Sequence, residues 1–173
     1  GNIYVTGSSV NVSGNSDIYT IKYASSDGSL LWEKSFNGVG NGYDIGDGIA
    51  FDPVDGNIMV AGTTFIGAGN HDYHLIRYTA DGNQIWQKTL NRPNSNEILY
   101  AMSIDRSGTV ILTGTTYSVV NDDVLTVKYD SDGLILSASV YNGVDDEDDT
   151  PTSIATNAYG ETFVAGITTA ASG

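Results

Sequence analysis

The chain contains no cysteine, which excludes disulfides, thiolate metal sites and a Cys nucleophile. Only 3 of its 173 residues are proline. No apolar run approaches the roughly 20 residues of a membrane-spanning helix. No apolar spacing of three and four persists long enough to predict an amphipathic helix. Basic residues are scarce: 7 Lys and Arg stand against 21 Asp and Glu, for a net charge of −14. Such a field repels phosphate backbones and anionic membrane surfaces, which argues against nucleic acid and membrane insertion as partners. The first residue is Gly rather than Met and no leader segment is visible. The expectation is a processed product or an excerpt of a longer protein.

What is present favours short strands and tight turns. Apolar residues make up 40% of the chain, enough to predict a folded core. Gly numbers 21 and Tyr 11, and β-branched and aromatic residues fit a pleated surface while Gly supplies turns. An internal repeat organises these residues. GNIYVTGSS at Gly1 returns as GNIMVAGTT at Gly56, GTVILTGTT at Gly108 and GETFVAGIT at Gly160, at spacings of 55, 52 and 52. A second block, DIYTIKY at Asp17, returns as DYHLIRY at Asp72 and DVLTVKY at Asp123. Each second block runs into an Asp-Gly turn, at Asp27-Gly28, Asp81-Gly82 and Asp132-Gly133, a strong hairpin signal between two alternating runs. After the turn come SLLWEKSF, NQIWQKTL and LILSASVY, and a last block ends at Asp52, Asp105 and Asn157.

Four short runs per unit, repeated at this period, predict an all-β fold of four-stranded antiparallel blades stacked face to face, a β-propeller-like array. With strands named A to D from the axis outward, the register is permuted. The chain begins at strand B and runs BCD, ABCD, ABCD, AB, about three blades and a partial one. The whole of 1–173 reads as a single repeat domain, with units 1–55, 56–107, 108–159 and a partial 160–173. In the third unit Ser137 replaces Trp32 and Trp86, and Ser139 replaces Lys34 and Lys88, which predicts a weaker or edge blade.

The pattern G-N-I-Y-V-T-G, then D-x-x-x-x-K-Y, D-G and W, then an acidic loop and I-A-x-D, resembles the bacterial β-propeller repeats called SBBP repeats. The resemblance implies tandem blades of a large secreted or surface bacterial protein. It carries no catalytic residues over, because the family shares none.

Several recurring residues are candidates for chemistry. Asp17, Asp72 and Asp123 recur before strand C, and Lys22, Arg77 and Lys128 stand five residues later. Odd and even strand positions face opposite sides, so no ion pair within one strand is expected. The Asp is read as capping a turn through its own backbone, and the basic stem as lying along the neighbouring blade. Trp32 and Trp86 are candidates for a glycan-stacking platform, but repetition at one blade position favours packing. The loop before strand A is acidic in every unit: Asp44 and Asp47, Glu97, then Asp145, Asp146, Glu147, Asp148 and Asp149. Clustered carboxylates suit Ca²⁺. The spacing matches no calcium-loop motif, so a solvated loop is the preferred reading and Asp145 to Asp149 the place to look for a metal. No other cofactor is implied. His71 and His74 point to opposite faces and do not suggest a shared metal. Asn11-Val12-Ser13 fits a glycosylation sequon.

The leading expectation is a non-enzymatic structural or interaction module of a secreted or cell-surface bacterial protein. Its open edges are expected to be closed by further blades or by a second copy of itself, extending to a filament. A glycan- or Ca²⁺-binding propeller is the alternative, and an enzyme with a site built from loops is the third.

Overall fold

Consecutive apolar residues in the B and C runs, such as Ile58-Met59-Val60 and Leu75-Ile76, put apolar side chains on both faces of the sheets they form, so each sheet must be covered twice. A computed structural model, describing residues 1–93, 95–117 and 120–170, shows how this is met. The first blade has β1 (Ile3–Val10), β2 (Ser16–Tyr23) and β3 (Leu30–Phe36) in the order β1-β2-β3. The second has β4 (Ile45–Phe51), β5 (Ile58–Gly67), β6 (Asn70–Tyr78) and β7 (Gln84–Thr89) in chain order. The third repeats this with β8 (Asn96–Ile104), β9 (Val110–Tyr117), β10 (Asp122–Tyr129) and β11 (Ile135–Tyr141). Strands β12 (Asp149–Thr156) and β13 (Thr162–Thr168) form a two-stranded fourth sheet. All pairings are antiparallel. The register is BCD, ABCD, ABCD, AB, as the repeat predicts. Among the described residues there is no helix.

The core lies between the sheets. Ile18, with Tyr4 and Phe36, packs the first blade against Ile58, Val60, Ile76 and Tyr78 of the second. Met59, Ala61, Tyr73, Leu75 and Leu90 of the second blade meet Leu99, Val110, Leu112, Leu125 and Val127 of the third. Alternation along β5 and β6 sends successive residues to opposite neighbours, so both strands are buried on both faces. Each fully buried aliphatic or aromatic side chain contributes about 1.5–3 kcal/mol. The middle blade is therefore the best-anchored element. The outer strand β11 is exposed along its whole length, in line with the loss of the tryptophan from the third unit.

Bulges recur at two fixed places. In strand A the extra residue is Asp47, Tyr100 or Thr152. In strand D it is Leu31, Ile85 or Leu136. A bulge bends its strand and sharpens the local twist, and its repetition gives every blade the same curvature.

Candidate functional site at the blade boundaries

Chemistry-bearing side chains gather where one blade meets the next. The first group is a latch at the outer rim. Lys22 and Trp32 stand opposite each other in the β2–β3 register. Both donate to the Ala80 carbonyl in the next blade's C–D turn, Lys22 Nζ at 2.6 Å and Trp32 Nε1 at 3.1 Å. Arg77 and Trp86, paired in β6–β7, repeat this. Both donate to the Ser131 carbonyl, Trp86 Nε1 at 3.2 Å. Arg77 also binds Asp52 at 2.9 Å and Asp55. Trp32 lies between Tyr4 and Tyr78, at centroid distances of 6.0 and 6.1 Å. The indoles therefore serve blade packing, and the basic residues bond the neighbouring blade as well as lying along it. Gly82 and Gly133 of the Asp-Gly turns have φ of +83° and +75°, and a Cβ on Gly82 would lie 2.9 Å from the Trp32 ring. Turn geometry and the packed indole both require glycine there. Lys128, opposite Ser137 in β10–β11, makes no side-chain hydrogen bond or ion pair among the described residues.

The second group is a set of buried carboxylates at the strand A entrance, Asp44, Glu97 and Asp149, and for these three acids the expectation of a solvated loop is corrected, while Asp47 and Asp145 to Asp148 are exposed. Asp44, Glu97 and Asp149 are fully buried. Asp44 accepts the Gly38 N–H at 2.6 Å, the Thr64 hydroxyl at 2.7 Å and the Phe65 N–H at 2.8 Å. Asp149 accepts the Gly143 N–H at 2.5 Å. Glu97 accepts the hydroxyls of Ser95 and Thr116, the latter at 3.0 Å. Asp44 and Glu97 tie the D–A crossover to strand B, and Asp149 holds the crossover's own backbone, all through the protein's own donors. Asn37 donates to Asn41 at 2.7 Å and Asn142 to Asp146 at 2.6 Å. Asn41 and Asp146 share a left-handed backbone at φ 49° and 52°. The shared spacing N-G-V-x-[N/D]-x-x-D over residues 37–44 and 142–149 carries this loop. The crossover from Leu90 to Glu97 is one residue shorter, and the extra methylene of Glu97 spans the difference.

The strand C acids do not cap turns through their own backbone as expected. Asp17 accepts Asn11 Nδ2, the sequon nitrogen, at 2.7 Å and the Ser35 hydroxyl at 3.2 Å. Among the described residues neither oxygen of buried Asp72 has a hydrogen-bond donor. Burial pushes its carboxyl up to about 7, and the neighbouring Glu97 carboxylate adds to the rise. Asp123 is raised by burial first, then by Asp149, Asp146 and Asp122.

Of the candidate metal residues, Asp145, Asp146, Glu147 and Asp148 are exposed and Asp149 is buried. Asp148 Oδ1 accepts the Asp122 N–H at 3.0 Å, and the Glu147 carbonyl accepts Asn121 Nδ2 at 3.0 Å. Among the described residues no group of three or more His, Asp or Glu side chains is gathered so as to hold a metal ion. Asp47, the strand A bulge residue, accepts the Thr63 hydroxyl at 3.3 Å. The two histidines part as expected. His71 lies beside Asn96 and Phe65. His74 stacks on Phe36 at 3.9 Å and bonds Thr89 at 2.9 Å. Burial pulls the His74 imidazole down to about 4.

A cavity of about 350 Å³ lies beside β13, lined by Val124, Thr126, Tyr141, Pro151, Val164, Gly166, Ile167 and Thr168. It has the position that Leu125 and Val127 fill at the preceding boundary.

A family described as a "Domain of unknown function (DUF5122) beta-propeller" matches residues 1–30 and 55–84. Each matched stretch runs from strand B through strand C to the Asp-Gly turn. The chain folds as a β-propeller-like array of antiparallel blades. Its blades join through the C–D turn latch and the strand A carboxylate. No curated protein matches the chain.

Proposed function

We propose that this propeller array is a non-enzymatic structural and interaction module, completed at its open faces by further blades of its own kind or by a second copy. One observation carries the reading. Ile3 and Val5 of β1 are 54% and 45% exposed, whereas Ile58 and Val60, at the same repeat positions, are 1% and 0% exposed. The first blade thus presents the side chains that bury the second blade against its neighbour. Phe163 and Ile167 of β13 are also exposed. Open strand edges flanked by apolar faces favour pairing with another sheet. Lys128, without a side-chain partner among the described residues, supports the same reading, since Lys22 and Arg77 each bond a following blade.

The repeated motif also favours the finer assignment to SBBP-type repeats of a secreted or cell-surface bacterial protein. A signal peptide and further tandem units in the flanking sequence are its test. The interaction reading is tested by sedimentation of the 173-residue chain. Concentration-dependent association, abolished by Ile3→Asp with Val5→Asp, is the expected result. A cooperatively folded monomer at every concentration overturns it.

A further inference from the structure

The free edge of β1 differs from that of every other strand of its type. Strands β5, β9 and β13 each pair with a strand A, namely β4, β8 and β12, while β1 pairs with β2 alone among the described residues. A glycine stands at one position of all four B strands: Gly7, Gly62, Gly114 and Gly166. At the last three the reason is steric. A Cβ would lie 2.1 Å from the Ile45 carbonyl oxygen at Gly62, 2.0 Å from that of Ile98 at Gly114, and 2.4 Å from that of Thr150 at Gly166. In each case the carbonyl belongs to the strand A residue directly after the buried acid Asp44, Glu97 or Asp149. A Cβ on Gly7 would meet nothing within 4 Å. Glycine weakens a strand interior and gains nothing there unless another backbone approaches closely.

A second position tells the same story. Two residues beyond the glycine stand Ser9, Thr64, Thr116 and Thr168. Thr64 donates to Asp44 at 2.7 Å and Thr116 to Glu97 at 3.0 Å, and Thr168 lies opposite Asp149. Ser9 is exposed and its hydroxyl bonds nothing among the described residues. Strand β1 therefore carries both features that strand A uses elsewhere.

We infer that the free edge of β1 is an acceptor for a strand of the A type from another repeat unit. This is an extended segment with an Asp or Glu that takes the Ser9 hydroxyl, and the carbonyl of its next residue covers Gly7. The inference deepens the reading of an array completed by its own kind and rests on it. Recognition combines strand addition at an edge with one buried carboxylate, so a neutral or bulge-free strand fits less well.

The probe is a peptide of residues 37–52, which contains Asp44 and β4, added to the full chain. Binding is expected to raise the melting temperature in proportion to peptide concentration. Gly7→Val is expected to weaken binding at least tenfold while the variant's own melting temperature is unchanged or raised, because the new side chain meets no neighbour. The peptide carrying Asp44→Asn is expected to bind more weakly than the parent. Equal affinity of wild type and Gly7→Val, or no binding by wild type, overturns the inference. A chain that associates through Ile3 and Val5 yet ignores the peptide overturns this inference alone. A chain that does neither overturns the broader reading as well.

Discussion

Asp72 on β6 and Glu97 on β8 bring two carboxyls together across the boundary between the second and third blades, and among the described residues neither Asp72 oxygen has a hydrogen-bond donor. The first blade shows what is missing. Asp17 takes Asn11 and Ser35. The matching residues in the second blade are Ile66, which has no donor, and Thr89, whose hydroxyl is engaged by His74. Burial first, and then the neighbouring Glu97 carboxyl, favour the protonated form of Asp72. The buried phenols of Tyr73 and Tyr129 face the same pair, and both are raised mainly by burial.

This arrangement gives stability a pH dependence with two opposed parts. The Asp72 carboxyl is raised from 3.8 to about 7. Its contribution is fully present below the unfolded value near 3.8 and is lost as pH rises through about 7. His74 is lowered from 6.5 to about 4. Its contribution is present above 6.5 and is lost as pH falls through about 4. Between these limits the Asp72 and His74 slopes oppose, and Asp47, pushed up by burial to about 6, adds to the Asp72 side, so the wild-type urea midpoint is expected to fall from about pH 4 to about pH 6. Asp72→Asn is expected to flatten that fall, and His74→Gln to steepen it. Parallel profiles for wild type and Asp72→Asn exclude the raised Asp72 carboxyl.

The outer latch predicts a ranked pair of losses. Trp86→Phe keeps the ring and removes one hydrogen bond to Ser131, a cost of about 1 kcal/mol. Arg77→Ala leaves Asp52 buried without its cation, and breaking such a pair costs about 3–5 kcal/mol. Urea unfolding of the two variants checks the order. Equal losses would mean that the Asp52 pair adds nothing to the latch.

The strand order and the permuted register were legible because the Gly-led B motif and the Asp-Gly turn recur with little drift. The roles of the acids were not. Asp44 and Asp149 sit among Gly, Asn and Asp, a composition that reads as solvated loop, and Asp44 takes donors from strand B that are distant in sequence. Glu97 is further disguised by its shorter crossover. The N-G-V-x-[N/D]-x-x-D spacing was the available signal, present in two of the three crossovers. The bulges left no signal, because Asp47, Tyr100 and Thr152 share no property that marks a bulge. Asp72 was misread because the strand C acids look alike while their partners differ from blade to blade.

The strand B glycines predict a contrast within one repeat position. Gly114→Ala drives a Cβ against the Ile98 carbonyl and against the Tyr73 hydroxyl, which would lie 2.6 Å away. That hydroxyl donates to the Leu125 carbonyl at 3.1 Å, so it cannot retreat without losing its bond. Overpacking of this kind costs about 1–3 kcal/mol. Gly7→Ala is expected to be neutral or to stabilise by up to about 1 kcal/mol, the ordinary gain of Ala over Gly in a strand. Thermal unfolding of the two variants tests this, and a comparable loss at Gly7 would show that the position is constrained by something other than a strand A carbonyl.

The acidic crossover offers a last contrast, between architecture and metal binding. Asp149 is buried and holds the Gly143 N–H. Asp149→Ala should therefore cost about 1–3 kcal/mol, the penalty for a buried donor left without its acceptor. Asp145 and Asp148 are exposed, and neutralising either relieves a net charge of −14. Asp145→Asn and Asp148→Asn are accordingly expected to leave stability unchanged or slightly raised. A Ca²⁺ site at Asp145 to Asp149 would act differently. Millimolar Ca²⁺ would raise the wild-type melting temperature, and Asp145→Asn and Asp148→Asn would abolish that rise. Thermal scans of the four proteins with and without Ca²⁺ separate the two readings. The crossover's own bonding predicts curves that superimpose in each pair, because Asp149 faces a backbone donor and no third carboxylate converges on it.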